Sequence, residues 1–256
     1  MRLDVALLPR ALRKPDSNAC LLIDALRATS SIVTLFAQGA EEVVVAGSVA
    51  SARRLAASEP GRYLLCGERF GLAPPGFDYG NSPSEFAAID MQGRRAILAT
   101  TNGTRALHAL AASPVVLVGA LLNATAAVET LLAEARSRDL DASLVCAGLE
   151  RGAAFSLEDA FVAGALVETA VEEARRGDAS LALSDAALAA RRLHQSYRGD
   201  ALACFREAQH GRSLIGIGLE RDLEFCAHVD RYHVVPRLRR DPSGRLSLVA
   251  PTKGKP

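Results

Sequence analysis

The stretch LATTNGTRAL, Leu98–Leu107, decides how this chain is read. It ends an apolar run, RRAILATT (94–101), at two threonines and an Asn-Gly pair, after which GTRALHALAAS returns apolar residues at helical spacing. Strand, turn and helix in that order form one unit of an α/β fold. Thr100, Thr101, Asn102, Gly103, Thr104 and Arg105 crowd the joint. Two readings are open there. One is a polar turn, for which Asn-Gly and Thr are ordinary residues. The other is an anion cradle, in which Gly103 lets the backbone approach closely and Arg105 supplies a bidentate clamp.

Outward from this unit, similar apolar runs recur at 3–9, 19–26, 41–47, 62–68, 114–120 and 141–148. Most are continuous rather than alternating, as expected of strands covered on both faces. Helical patterns lie between several of them: ATSSIVTLFAQGA, SVASARRLAAS and NATAAVETLLAEARSR. SPSE places Ser82 as an N-cap with Pro83 at the first helical position, and SLED repeats the logic with Ser156 as cap and Asp159 completing a capping box. From Ser156 to about Asp230 the pattern is mainly helical and alanine-rich. YHVVPRLRR and RLSLVA, separated by DPSG, then read as a closing hairpin, and PTKGKP as a frayed end. The chain is read as one domain over residues 1–256, with a subdivision near residue 150 as the alternative.

A second joint repeats the layout of the first. IDALRATSS ends an apolar strand at Asp24 and starts a helix near Ala28–Ser30. Asp24 suits a divalent cation, while Arg27, Thr29, Ser30 and the helix N-terminus suit phosphate oxygens; the competing reading is a cap cluster with a surface arginine. Two such joints in one chain favour an anion site. GERFGLAPPGFDYGNSPSEF adds Glu68, Arg69, Asp78, Asn81 and Ser82, and LVCAGLERGAAFSLEDAF leads to adjacent Glu158 and Asp159, carboxylates suited to Mg²⁺ or to a helix dipole.

Composition narrows the ligand class. Thirty Lys+Arg against 29 Asp+Glu, a net charge of +1, argue against a broad basic face for nucleic acid. The five cysteines are dispersed, with no CxxC spacing, and no run is long enough to span a membrane, so a cytoplasmic protein without membrane partners is expected. His108, His194, His210, His228 and His233 show no HExxH-type pairing, and P-loop, GxGxxG and GxSxG signatures are missing.

Five ordered blocks, DALRATSSIVTLFAQGA, GERFGLAPPGFDYGNSPSEF, TTNGTRAL, CAGLERGAAFSLEDAFVAGALV and GRSLIGIGLERDLEFCAHVDRYHVVP, together resemble the 2-phosphosulfolactate phosphatase family over roughly residues 20–236. The resemblance implies a three-layer α/β/α fold with a mostly parallel or mixed sheet. It also implies a Mg²⁺-dependent hydrolase that converts 2-phospho-3-sulfolactate to 3-sulfolactate and phosphate, a step towards coenzyme M, and a plausible homodimer. Carried onto this chain, the implied catalytic residues are Asp24, Arg27, Arg105 and Glu68. The implied substrate contacts are Thr29, Asn81, Ser82, Thr101, Asn102, Gly103 and Thr104, and the implied metal ligands Asp24, Glu158 and Asp159; Asp222 and Asp230 are carried over as further site residues with no role assigned. Kept beside this are a phosphatase acting on another small phosphorylated hydroxy acid and a non-catalytic binder of anionic metabolites.

Overall fold

The computed structural model describes residues 1–177 and 180–250; the PTKGKP end lies outside them. Among the described residues ten strands, β1 (Arg2–Ala6), β2 (Asn18–Ile23), β3 (Glu42–Val45), β4 (Tyr63–Gly67), β5 (Arg95–Ala99), β6 (Val115–Gly119), β7 (Asp141–Cys146), β8 (Ala182–Leu183), β9 (Arg237–Arg240) and β10 (Leu246–Val249), form one sheet. Its order is β4-β5-β3-β10-β9-β6-β2-β7-β1-β8. Seven of these are the apolar runs read from the sequence, and β9–β10 is the closing hairpin. The two-residue β8 is too short to carry a periodic signal.

The ten helices among the described residues are α1 (Ala28–Ala37), α2 (Val49–Ser58), α3 (Pro83–Phe86), α4 (Gly103–Ala109), α5 (Ala124–Ser137), α6 (Leu157–Arg176), α7 (Asp185–Ser196), α8 (Ala201–Glu207), α9 (Gln209–Gly216) and α10 (Glu220–Cys226). They pack around the mixed sheet as a three-layer α/β/α fold. Strand β2 explains the continuous apolar runs. Successive side chains point to opposite faces: Ala19, Leu21 and Ile23 pack with Val128 and Leu131 of α5 and Val162 and Leu166 of α6. Cys20 and Leu22 pack on the other face with Ile32 of α1, Phe86 of α3 and Leu107 of α4. Both faces are buried, so Ala19–Ile23 is wholly apolar, and Asn18 at the strand's start donates its amide to the Arg13 and Lys14 carbonyls.

The topology sets where the loops meet. Strands β6, β2, β7, β1 and β8 run parallel, and so do β3, β5 and β4. Three antiparallel pairings through the β9–β10 hairpin separate the blocks and reverse their sense. A twist of roughly 20–25° per neighbour, summed over the five steps from β5 to β2, amounts to on the order of 100°. The C-terminal ends of the two blocks thereby face one another, and loops following β2, β4, β5 and β7 share one cavity.

Candidate active site

Asp24 directly follows β2, at the C-terminal strand edge where α/β folds bind ligands. Its backbone is held tightly. Its carbonyl accepts the Thr29 hydroxyl (2.9 Å) and the Thr29 N–H (3.0 Å), while its own N–H donates to Thr29 Oγ1 (3.1 Å). Its Oδ1 accepts the Ala28 N–H at the start of α1 (3.2 Å). Thr29 is fully buried, so it positions Asp24 and does not reach the cavity as the resemblance implies.

Asp24 lines a cavity of about 270 Å³ together with Arg27, Glu68, Asn81, Thr101 and Asn102. These six expected residues come from three separate loops, those after β2, β4 and β5. Glu68 ties two of those loops together, accepting the Thr101 N–H at Oε1 (2.6 Å) and the Gly71 N–H at Oε2 (3.0 Å). Asn81 is buried with its Oδ1 lacking a partner. Gly103 is closed in: a Cβ there would stand 2.5 Å from Ala28 Cβ and 2.8 Å from Asp24 Oδ2, so only glycine lets α4 rest against the aspartate.

Arg27 is buried and already committed. One terminal nitrogen donates to Asp222 Oδ2 and the other to the Gly71 carbonyl, both at 2.7 Å. Asp222 is itself saturated, since its Oδ1 accepts the Ser82 and Ser84 hydroxyls at 2.6 Å each. Ser82 also caps α3 through the Glu85 N–H, so its hydroxyl serves the Arg27 support and not a ligand. Asp222 is thus a positioning residue reached from α10.

Several expectations change. Arg105 does not line the cavity: Gly103, Thr104, Ala106 and Leu107 form the buried face of α4, and the helical turn carries Arg105 to the exposed face. Thr104 is buried, bonding reciprocally with Thr100 across the first turn. Glu158 and Asp159 lie at the start of α6 but outside the cavity lining. Asp159 does not complete a capping box. Its Oδ1 accepts the Ala25 N–H (2.8 Å) and its Oδ2 the Gly148 N–H (3.0 Å), which joins the loops after β2 and β7. Asp230 caps α5 through the N–H and hydroxyl of Thr125.

Thr100, Arg69, Arg151 and His210 join the lining. Arg69 and Arg151 sit in loops after β4 and β7, whereas His210 lies in α9, where one histidine in a helical stretch carries no sequence signal. Burial and the adjacent Arg27 charge lower the His210 pKa, opposed by Glu68 and the Leu26 backbone.

Electrostatics centre on three neighbouring acids. Burial is the largest of the effects that together raise the Asp24 pKa to about 7; the charges of Glu68 and Glu158 add to it, while the Ala28 N–H and Arg27 oppose it. Burial likewise raises Glu158 and Asp159, the latter with added repulsion from Asp24 and Glu158. Cys146 is buried and raised well above a usual thiol, so it behaves as a small apolar residue and not as a nucleophile.

Among the described residues no three His, Cys, Asp or Glu side chains converge as an all-protein metal cage. Asp24, Glu158 and Asp159 do not converge in that way, while Glu158 Oε2, like Asn81 Oδ1, is buried without a hydrogen-bond partner. A hard cation that takes one or two protein oxygens and keeps phosphate and water ligands still fits Asp24 beside the unpartnered Asn81 Oδ1. Among the described residues no helix is long and apolar enough to cross a membrane. A larger hollow of about 720 Å³ lies at the N-terminal strand ends, lined by Arg2, Asn18 and Asp141. It lacks the convergence of strand C-termini that marks the Asp24 cavity.

The profile of the family described as 2-phosphosulpholactate phosphatase matches residues 6–241. A probable 2-phosphosulfolactate phosphatase of Synechococcus sp. (strain JA-2-3B'a(2-13)) is 41% identical over 224 residues, covering 86% of this chain and 88% of that protein. Proteins with the same description from Carboxydothermus hydrogenoformans and Thermotoga petrophila are 34% and 36% identical, covering 92% and 87% of this chain and 92% and 90% of their own. With the profile spanning nearly the whole sequence and relatives matched almost end to end, the chain belongs to the 2-phosphosulfolactate phosphatase family.

Proposed function

We propose that the chain is a Mg²⁺-dependent phosphatase that hydrolyses the phosphate ester of 2-phospho-3-sulfolactate to 3-sulfolactate and phosphate. The observation that carries this is the meeting, in one cavity, of a buried Asp24 with Arg27, Arg69 and Arg151. A substrate bearing phosphate, carboxylate and sulfonate needs several cations, and Arg27 is already neutralised by Asp222. The bound cation, held by Asp24 with Asn81 Oδ1, would neutralise phosphoryl charge as a Lewis acid.

The chain's own groups perform the rest. Arg27, pinned by Asp222 and the Gly71 carbonyl, offers its remaining N–H groups to phosphoryl oxygens without reorganising. Thr29 and Gly103 fix Asp24 against α1 and α4 so that its Oδ2 is presented in a set position. His210, whose pKa burial and the Arg27 charge lower so that the neutral ring is favoured, is suited to accept a proton from attacking water at a ring nitrogen. The crowding of raised acids around Asp24 is also the electrostatic condition that a cation relieves.

The test is phosphate release from 2-phospho-3-sulfolactate, 2-phospholactate and phosphoglycolate by the purified chain, before and after exhaustive EDTA treatment. The proposal expects the sulfonated substrate to be preferred, with activity lost to EDTA and restored by Mg²⁺. Preference for an unsulfonated substrate would indicate another phosphorylated hydroxy acid, and unaltered turnover after EDTA would remove the metal.

A further inference from the structure

We propose that Arg151 and Arg69 are the specificity-determining residues of this site, each gripping one of the two anionic groups that the substrate carries besides its phosphate. The inference rests on the phosphatase reading above and adds to it which residues select the substrate.

Part of the positive charge in the cavity is already matched. Of its three arginines, Arg27 is buried and paired with Asp222. Arg151 and Arg69 are exposed at the cavity, and neither guanidinium has a hydrogen-bond or ion-pair partner among the described residues. The Arg69 guanidinium lies over the Phe70 ring, 5.3 Å from its centroid, an arrangement that orders it while leaving its in-plane donors free.

Arg151 is held in place from its backbone. Glu150 and Arg151 are consecutive non-glycine residues in the left-handed region, at φ 50° and 62°, between Gly148 at 69° and Gly152 at 81°. Such residues are unfavourable by about 1–2 kcal/mol each and persist where surroundings impose them. Here the Leu149 carbonyl closes the turn by accepting the Gly152 and Ala153 N–H groups, and Asn102 ties it to the neighbouring loop, its Oδ1 accepting the Arg151 N–H at 2.8 Å. Asn102 belongs to the loop after β5 and Arg151 to the loop after β7, so the bond fixes Arg151 across the cavity mouth. Removing the Asn102 Oδ1 or the Arg151 side chain should have separable effects: the first misplaces the guanidinium, the second deletes it.

The test compares kcat/KM of the wild type, Arg151→Ala, Arg151→Lys and Arg69→Ala on three phosphate esters: 2-phospho-3-sulfolactate, 2-phospholactate, which lacks the sulfonate, and ethyl phosphate, which lacks both extra anions. Deleting one charge-assisted hydrogen-bonding group should weaken use of the matching substrate by about 10-fold to 100-fold. Each alanine variant is expected to show that reduction on phosphosulfolactate relative to ethyl phosphate, mainly through KM, with Arg151→Lys recovering part of it. An arginine that serves the sulfonate leaves the phospholactate-to-ethyl-phosphate ratio as in the wild type; one that serves the carboxylate lowers it. Equal reductions on all three esters, or no change in their ratios, would overturn the proposal. Failure of the wild type to hydrolyse phosphosulfolactate would instead refute the phosphatase reading beneath it.

Discussion

Asp222→Ala is the perturbation whose size the structure defines best. The carboxylate is buried and receives Arg27 on Oδ2 and the Ser82 and Ser84 hydroxyls on Oδ1. Alanine leaves the buried guanidinium without its counter-charge and two hydroxyls without an acceptor. Breaking a buried ion pair from one side costs about 3–5 kcal/mol. At about 2–4 °C per kcal/mol for a chain approaching this size, the melting temperature should fall by roughly 6–20 °C. Urea unfolding of wild type, Asp222→Ala and the double variant Arg27→Met/Asp222→Leu provides the assay. Replacing both charges by apolar groups of similar volume should restore most of the stability, because desolvation of the pair offsets much of its attraction. A decrease below about 1 kcal/mol in the single variant, or a double variant less stable than the single, would refute the view that Arg27 is a buried charge held in place by Asp222.

Gly103→Ala puts a methyl 2.5 Å from Ala28 Cβ and 2.8 Å from Asp24 Oδ2; overpacking should cost about 1–3 kcal/mol, and displacement of Asp24 should lower kcat/KM on the order of 100-fold, read by urea unfolding and phosphate release. Far from the site, Arg191 holds Glu168 through two hydrogen bonds (2.7 and 2.8 Å) and pulls its pKa down to about 2. A depressed carboxylate stabilises the fold above its unfolded pKa near 4.5 and loses that contribution as pH falls towards 2. The pair is partly exposed, so Glu168→Gln should cost about 1 kcal/mol at neutral pH, a difference that shrinks on acid titration of the unfolding midpoint; a difference that grows with acid would contradict the assignment.

Much of the fold is legible in the sequence because β2, β5, β6 and β7 are buried on both faces, so their interiors are apolar save for Ser143 of β7 and end where the chain leaves the sheet. The joints at Asp24 and Thr100–Gly103 are visible for the same reason. What a sequence does not display is which way a side chain turns one residue later. Arg105 follows the buried Thr104 by a single helical step and so points outward, whereas Arg151, in an irregular loop with no periodicity, points to the cavity. Glu158 and Asp159 carry the residue types of a metal site, yet Asp159 commits both oxygens to backbone N–H groups of two neighbouring loops. His210 and Asp222 come from α9 and α10, remote in sequence, and only the packing of those helices brings them to Asp24 and Arg27.

Everything proposed for the cavity turns on Asp24 being the working carboxylate of a phosphatase site. Phosphate release from 2-phospho-3-sulfolactate with Mg²⁺ present, by wild type and by Asp24→Asn, which keeps the side chain's size, probes this without an intermediate step. Measurable turnover by the wild type is expected, with a decrease on the order of 10²-fold to 10³-fold or more in the variant and the folded state retained by circular dichroism. A folded Asp24→Asn protein that hydrolyses the substrate at the wild-type rate would show that Asp24 is not that carboxylate.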